Sequence, residues 1–436
     1  MPAMNDEYEV IVIGGGTAGT VAAIQAGRAG AGTLLIEKNG VLGGTLTVAG
    51  VNNPALFHAW GRQVIAGIGW ELVRRTLEET CTDPPDFSDP TAPHWQHHVG
   101  VNKAIYAALS DQAAVDAGVE ILLHAMPAAV ALADGRWRVD VCTKSGLRRT
   151  RAKVLIDATG DANAVALAGF DLIRPEPAQP GTLVMHCSGY DVDRLDVEAI
   201  DIAARQAIAD GELLVTDIGW SPDGAAGFLR KRGYNANHIT VVAADSSEGR
   251  TGAEIAARQS MLRMVRFFRS QPGLEGFRIE GFAPECGIRE TVVIRGKATI
   301  TGADYVAGRR YADAVCYCFY PIDIHLDHGE GVDARPLAEG VLPTIPRGAM
   351  LPAGSRFLLV AGRCISGDRE AHSAYRVEAP CMATGQAAGA IAALSARTGV
   401  DPEELPIAEV RDLLRQHGAI VPGDGPASAA GAGPGR

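Results

Sequence analysis

Residues 8–13, Tyr-Glu-Val-Ile-Val-Ile, run directly into Gly14-Gly15-Gly16-Thr17-Ala18-Gly19. The apolar run predicts a buried strand. The small residues of 20–29 predict a helix packed closely on it, and 33–36 (Thr-Leu-Leu-Ile) a second strand ending at Glu37. Strand, G-x-G-x-x-G turn, helix, strand and terminal acid together define a βαβ unit that holds a dinucleotide. Such a unit commits the chain to a parallel sheet with right-handed crossovers.

Each residue of the turn has a physical role. Gly14 permits the tight turn, Gly16 keeps a Cβ away from an approaching pyrophosphate, and Gly19 lets the helix close on the strand. Thr17 and Ala18 lie in the same turn, and the N-terminus of the helix that follows offers free N–H groups and a partial positive charge to an anion. Glu37, followed by Lys38, is placed to accept hydrogen bonds from ribose hydroxyls and to repel a 2′-phosphate. The unit by itself leaves NAD and FAD open.

At 436 residues the chain is long enough for roughly two to three domains. Hydrophobic residues at 47% allow a large core, and a net charge of −11 argues against nucleic acid or an acidic membrane as the main partner. The first nine residues lack the basic and apolar regions of a signal peptide, and the apolar stretch 382–394 is too short to span a bilayer. Eight scattered cysteines do not form a disulfide framework, and Cys316-Tyr-Cys318 has the wrong spacing for a redox or zinc motif. The expectation is a soluble, cytoplasmic protein. There are 52 glycines, more than this composition otherwise calls for.

Further along come Gly43-Gly44-Thr45, a predicted parallel strand at 118–123, and a hairpin from 136–142 and 147–152. The buried strand 154–156 leads into Asp157-Ala158-Thr159-Gly160-Asp161. After a predicted strand at 356–361 come Gly362-Arg363-Cys364-Ile365-Ser366 and then an Ala- and Gly-rich helix over 379–394. With Gly287-Ile-Arg289-Glu290-Thr291, Tyr320-Pro-Ile-Asp-Ile-His325 and Glu370-Ala-His372-Ser-Ala-Tyr375-Arg376, the chain resembles the FAD-dependent oxidoreductase family. That family is made of two-dinucleotide-binding-domain flavoproteins related to fumarate reductase and succinate dehydrogenase flavoproteins. The resemblance runs over about 8–394. Val292-Val293 depart from it where an Arg pair often stands, as does Arg363 where relatives usually carry an acid.

The resemblance implies an α/β fold with a discontinuous Rossmann-like FAD-binding domain around an inserted α+β substrate domain. The expected boundaries are 1–165 and 340–422 for the FAD domain, 166–339 for the insert, and 423–436 for a disordered tail. Within the insert a helix is predicted over 251–269, its apolar spacing at Ile255, Met261, Leu262, Val265 and Phe268, with strands at 182–187, 238–243, 277–282 and 291–294. FAD is the implied cofactor. Gly43, Gly44 and Thr45 are implied on its flavin side and Ala158, Thr159 and Gly160 over its adenosine end. Pro127, Gly362, Arg363, Met382 and Ala383 complete the implied set. No second G-x-G-x-x-G follows a strand, so no separate nicotinamide domain is expected.

Flavin carries the redox chemistry, and the protein must place a substrate and manage one proton. His325, His372 and Tyr375 are the candidates for the proton. Arg289 either pairs with Glu290 at a domain interface or grips a substrate carboxylate. Arg376 anchors its loop or an anion, and Asn52, Asn53 and His58 are candidates to line the cavity. His94, His97 and His98 lack diagnostic metal spacing, so no metal is expected. The expected activity is hydride transfer from a small organic molecule to flavin, with reoxidation by oxygen, a quinone or a partner protein. The alternatives are a monooxygenase or reductase using transiently bound NAD(P)H, and a non-catalytic electron-transfer subunit.

Overall fold

A computed structural model of the chain describes residues 4–89, 92–218, 223–240, 243–326 and 331–423. The tail expected to be disordered lies almost wholly outside them.

The main sheet begins with β1 (Glu7–Ile13), α1 (Thr17–Arg28) and β2 (Thr33–Ile36). The strands run parallel with Val10 opposite Thr33 and Ile13 opposite Ile36. Beyond β2 lies β3 (Glu120–Leu122), also parallel. Then β4 (Met126–Ala133), β5 (Arg136–Thr143) and β6 (Gly146–Asp157) form an antiparallel meander. The second half of β6 pairs parallel with β1, and β7 (Leu358–Val360) adds to its other side. The order is β3-β2-β1-β6-β5-β4, with β7 beside the end of β6.

Two differences from expectation concern this sheet. Segments 147–152 and 154–156 are one 12-residue strand, because β6 passes from an exposed meander end (146–149), through alternate burial at 150–152, into the fully buried centre. β4, which the sequence did not announce, is mostly exposed and holds Pro127. Pro127 lies opposite Val141 at a register irregularity, where a residue without an N–H is tolerated, so it serves the meander and not the cofactor cavity.

A second apolar cluster spans 183–288. Its strands Met185–Ser188 and Arg278–Phe282 pair antiparallel; Phe228 stacks on Phe268 at a ring distance of 5.1 Å, and Phe277 tilts against Phe268 at 5.0 Å. Of the expected strand at 238–243, Ile239 makes a single bridge with Gly181, and 241–242 lie outside the described residues. The long helix α2 (Ser247–Arg269) is present, but its buried face is Ala253, Ala257, Ser260, Met264, Phe267 and Phe268. Ile255 and Leu262, expected on that face, are about half exposed, at 48% and 49%. Small residues let the helix approach the cluster closely, and that contact outweighs the larger apolar pattern. Apolar residues from Val292 onward pack into the first cluster, with the main sheet.

The chain returns through β7 to α3 (Arg369–Tyr375) and α4 (Glu378–Thr398). α4 lies directly on α1. A Cβ on Gly385 would come within 2.2 Å of the Ala18 carbonyl oxygen, and one on Gly389 within 2.3 Å of Ala22.

Candidate functional site

The turn after β1 meets two other turns at the C-terminal ends of the parallel strands, where open α/β sheets bind their ligands. The Gly43 N–H donates to the Gly15 carbonyl at 2.8 Å. On the other side, the Asp157 carboxylate pins the Ala-Thr-Gly turn by accepting from the Thr159 and Val165 amides and the Thr159 hydroxyl. Gly362 donates to Thr384 Oγ1 and so fastens the β7 turn to α4.

These turns enclose a cavity of about 300 Å³ that continues across to the second cluster. Its wall holds Gly14, Gly16, Thr17, Ala18, Glu37, Lys38, Gly44, Thr45, Ala158, Thr159, Gly160, Gly362 and Arg363 of the expected cofactor set. Gly19 and Gly43 stand behind it and support it. A Cβ on Gly19 would meet the Gly14 carbonyl oxygen at 1.7 Å. Met382 is buried against Gly69, and Ala383 faces a separate small crevice, so the expected contacts from these two do not form the cavity wall. Both lie beyond Cys381, the last residue of α4 that lines the cavity.

FAD fits this wall. No side chain caps the N-terminus of α1, leaving its first amides to an anion, and the Cβ missing from Gly16 leaves open space with nothing nearer than Gly44 Cα at 3.9 Å. Glu37 is 5% exposed; its carboxylate accepts from the Gly15 and Asn39 amides, one on each oxygen, keeping a lone pair on each for a ribose. Burial raises its carboxyl above the ordinary range. Lys38 pairs with Glu285 across the rim. Arg363 donates to the Gly160 and Ile288 carbonyls and to Asp161, so it organises the wall through backbone oxygens.

At the other end of the cavity Arg289, Tyr320, Asp323, His325 and Arg376 come together. The Arg289–Glu290 ion pair does not form. Arg289 donates to the Pro180 carbonyl at 2.7 Å and to Asn235 Oδ1 at 3.3 Å, while Glu290 turns away to accept from the Gln179 amide. His325 lies 3.3 Å from Asp323 Oδ2 through Nε2 and 2.9 Å from His238 Nε2 through Nδ1. Burial, then the Arg289 charge, push His325 down to about 4, so its imidazole is neutral at pH 7. Partial burial raises the Asp323 carboxyl, but His325 and the two arginines outweigh that and hold it well below the carboxylate range. Arg376 donates to Asp323 and Gln179. Burial and Arg376 lower Arg289 to about 10, which leaves it charged. Two guanidinium groups thus face one carboxylate.

His372 and Tyr375, the other proton candidates, are corrected by the structure. Both are at most 2% exposed and neither lines the cavity. The Tyr375 hydroxyl donates to the Ile365 carbonyl, and His372 lies 3.5 Å from Glu290, so together they seat α3. Asn53 lines the cavity; Asn52 donates to the Val101 carbonyl, and His58 stacks on Phe87 at 3.7 Å. His98, set aside with the other loop histidines, reaches the cavity and stacks on Tyr320. Asp323 and His238 were missed. Asp323 was legible, since residues two apart on a strand share a face and His325 had been singled out. His238 comes from a distant segment, and nothing local marks it.

A leghemoglobin reductase from Glycine max is 52% identical over 56 residues, 13% of this chain and 11% of that protein. A mitochondrial dihydrolipoyl dehydrogenase from Arabidopsis thaliana is 50% identical over the same share of each. This chain thus matches about a tenth of the length of these relatives. Among solved structures, a geranylgeranyl bacteriochlorophyll reductase-like protein from Thermoplasma acidophilum aligns with 94% of this chain and 84% of its own, at 14% identity and a TM-score of 0.43. A p-nitrophenol 4-monooxygenase from Pseudomonas putida aligns over the same shares, at 11% identity and a TM-score of 0.39. The family model described as FAD dependent oxidoreductase matches residues 9–414, nearly the whole described chain, and the chain belongs to that family.

Proposed function

We propose that the enzyme is a dehydrogenase or oxidase that takes hydride from a small organic substrate bearing an anionic group. The observation that carries this reading is the cluster of the partly buried Arg289, Arg376 and Asp323 with the buried His325 at one end of the cofactor cavity. Its single excess positive charge suits one substrate carboxylate or comparable anion. FAD, when bound, supplies the hydride acceptor. Arg289 and Arg376 orient the substrate. His325, unprotonated at neutral pH, takes the proton released from the substrate on Nδ1, the nitrogen not paired with Asp323, exchanging its His238 contact for the substrate, and the Asp323 carboxylate stabilises the imidazolium that results. Oxygen, a quinone or a partner protein then takes the electrons.

The test is anaerobic bleaching of the flavin band of the holoenzyme by a panel of small hydroxy acids, amino acids and uncharged alcohols and amines. Anionic donors are expected to bleach it. His325→Gln should slow bleaching by about a hundredfold with FAD retained. Bleaching by uncharged donors alone, or an unchanged rate in the His325 variant, refutes the reading.

A further inference from the structure

Tyr320 opens the segment that carries Asp323 and His325 and lines the cavity with Arg289 and Arg376. Its backbone is clamped. The Tyr305 hydroxyl donates to the Tyr320 carbonyl at 2.8 Å and accepts from the Tyr320 amide at 3.0 Å. Its ring stacks on His98 at 6.1 Å and meets His94 edge-on at 5.6 Å. The residue is only 9% exposed, yet its hydroxyl has no hydrogen-bond partner among the described residues. Nor is that oxygen among the unpartnered polar atoms enclosed by protein; it keeps accessible surface on the cavity. Other well-buried tyrosines are supplied with partners: Tyr375 donates to the Ile365 carbonyl and Tyr190 to that of Leu229.

The charges nearest the phenol are those of Asp323, Arg376 and Arg289. Burial, then Asp323, raises it above its ordinary range against the pull of the two arginines, so it stays an O–H donor. Both guanidinium groups spend part of their N–H donors on the protein, Arg289 on Pro180 and Asn235 and Arg376 on Gln179 and Asp323. A carboxylate offers about four lone-pair sites and takes a further donor readily. We propose that Tyr320 is a substrate-binding residue whose hydroxyl donates to the carboxylate of a monocarboxylate substrate held by Arg289 and Arg376. This rests on the reading of the cluster as an anion site. A clamped backbone and a packed ring hold the O–H in place before the substrate arrives, so little ordering accompanies binding.

The experiment titrates the holoenzyme calorimetrically with acetate, propionate and benzoate, which bind without being oxidised. Tyr320→Phe keeps the ring against both histidines and removes only the oxygen. It should weaken the best of the three by about tenfold or more, as expected for a lost hydrogen bond to a charged group. Its melting temperature and its FAD affinity, read from the fluorescence regained on dilution, should match wild type. An unchanged carboxylate Kd in Tyr320→Phe overturns the proposal and leaves the arginine site standing. A variant that melts lower, loses FAD or fails to fold also overturns it, because the hydroxyl would then be structural. If wild type binds none of the three, or if Arg289→Met binds them as tightly as wild type does, the anion reading itself fails and this proposal with it.

Discussion

A Cβ placed on Gly19 would lie 1.7 Å from the Gly14 carbonyl oxygen, whereas one placed on Gly16 would enter open cavity. The two glycines of one turn therefore fail differently. Gly16→Val should fold with wild-type melting behaviour but emerge without FAD. Gly19→Ala should lose both stability and FAD, because backbone must move to admit it. Measuring flavin content and thermal unfolding together separates the two, and a Gly16 variant with full FAD would contradict the assignment of that surface to the pyrophosphate. Titration offers a second residue-level test, at His372. Burial, with Arg376 and Arg363 adding to it, pushes its imidazole down to about 3, against an ordinary value of 6.5. The unfolded chain takes up this proton near pH 6.5 and the folded chain only near pH 3, so His372 lowers stability progressively as pH falls between those values. In His372→Gln that loss is absent. The melting temperature of the variant relative to wild type should rise as pH is lowered from 7 to 5; a constant difference would mean that His372 does not titrate as its burial requires.

Between elements, α4 packs tightly against α1, with Gly385 over Ala18 and Gly389 over Ala22. Because the same α1 presents its N-terminus to the cavity, displacing α4 displaces that wall. Gly389→Val should cost about 3 kcal/mol or more by overpacking and lower FAD retention, read by denaturant unfolding and flavin content. The contact also shows what was legible in the sequence. The βαβ unit, β7 and α4 could be read because burial on both faces leaves continuous apolar runs and because their turns demand glycine, whereas β3 is only half-buried and was marked by the short run Ile121-Leu122-Leu123 that follows Gly118. β4 could not, since an exposed edge strand of Ala, Leu and Val has no period that distinguishes it. The face of α2 was misread because its core contact is made by Ala253, Ala257 and Ser260, which carry little hydrophobic signal. The site divides in the same way. Most of the expected cofactor residues that line the cavity are turn residues whose backbone conformation is written locally, whereas His372 and Tyr375 sit on a short helix buried on nearly all sides. Neighbouring sequence does not say which side of such a helix meets the cavity, and Arg376, just beyond it, is the residue that does.

Across the whole molecule, the two apolar clusters meet at the cavity, and their join is concentrated on one carboxylate. Asp161, just after β6, accepts from Arg363 at 2.6 Å and from Thr291 at 2.9 Å on one oxygen, and from Arg250 at 3.3 Å on the other. Arg363 follows β7, Arg250 lies on α2 in the second cluster, and Thr291 is where the chain crosses back. The Lys38–Glu285 pair also bridges the clusters, but it is partly exposed and contributes at most about 1 kcal/mol. Arg363 has only 15% of its side chain exposed and Asp161 as its carboxylate partner. Asp161→Asn leaves that charge uncompensated, at a cost of about 3–5 kcal/mol, and releases α2 from the cavity wall. The expected result is a large loss of stability together with weakened FAD binding. Adding Arg363→Met removes the stranded charge and should restore most of the stability, because an apolar side chain of similar length fills the same space. Binding of FAD should not recover in the double variant, since the Arg363 bonds to the Gly160 and Ile288 carbonyls that shape the wall are gone. Denaturant unfolding of the three proteins, with flavin content measured on each, distinguishes these outcomes. A loss below about 1 kcal/mol in Asp161→Asn would place the charge balance of Arg363 with solvent and deny Asp161 its role in joining the clusters.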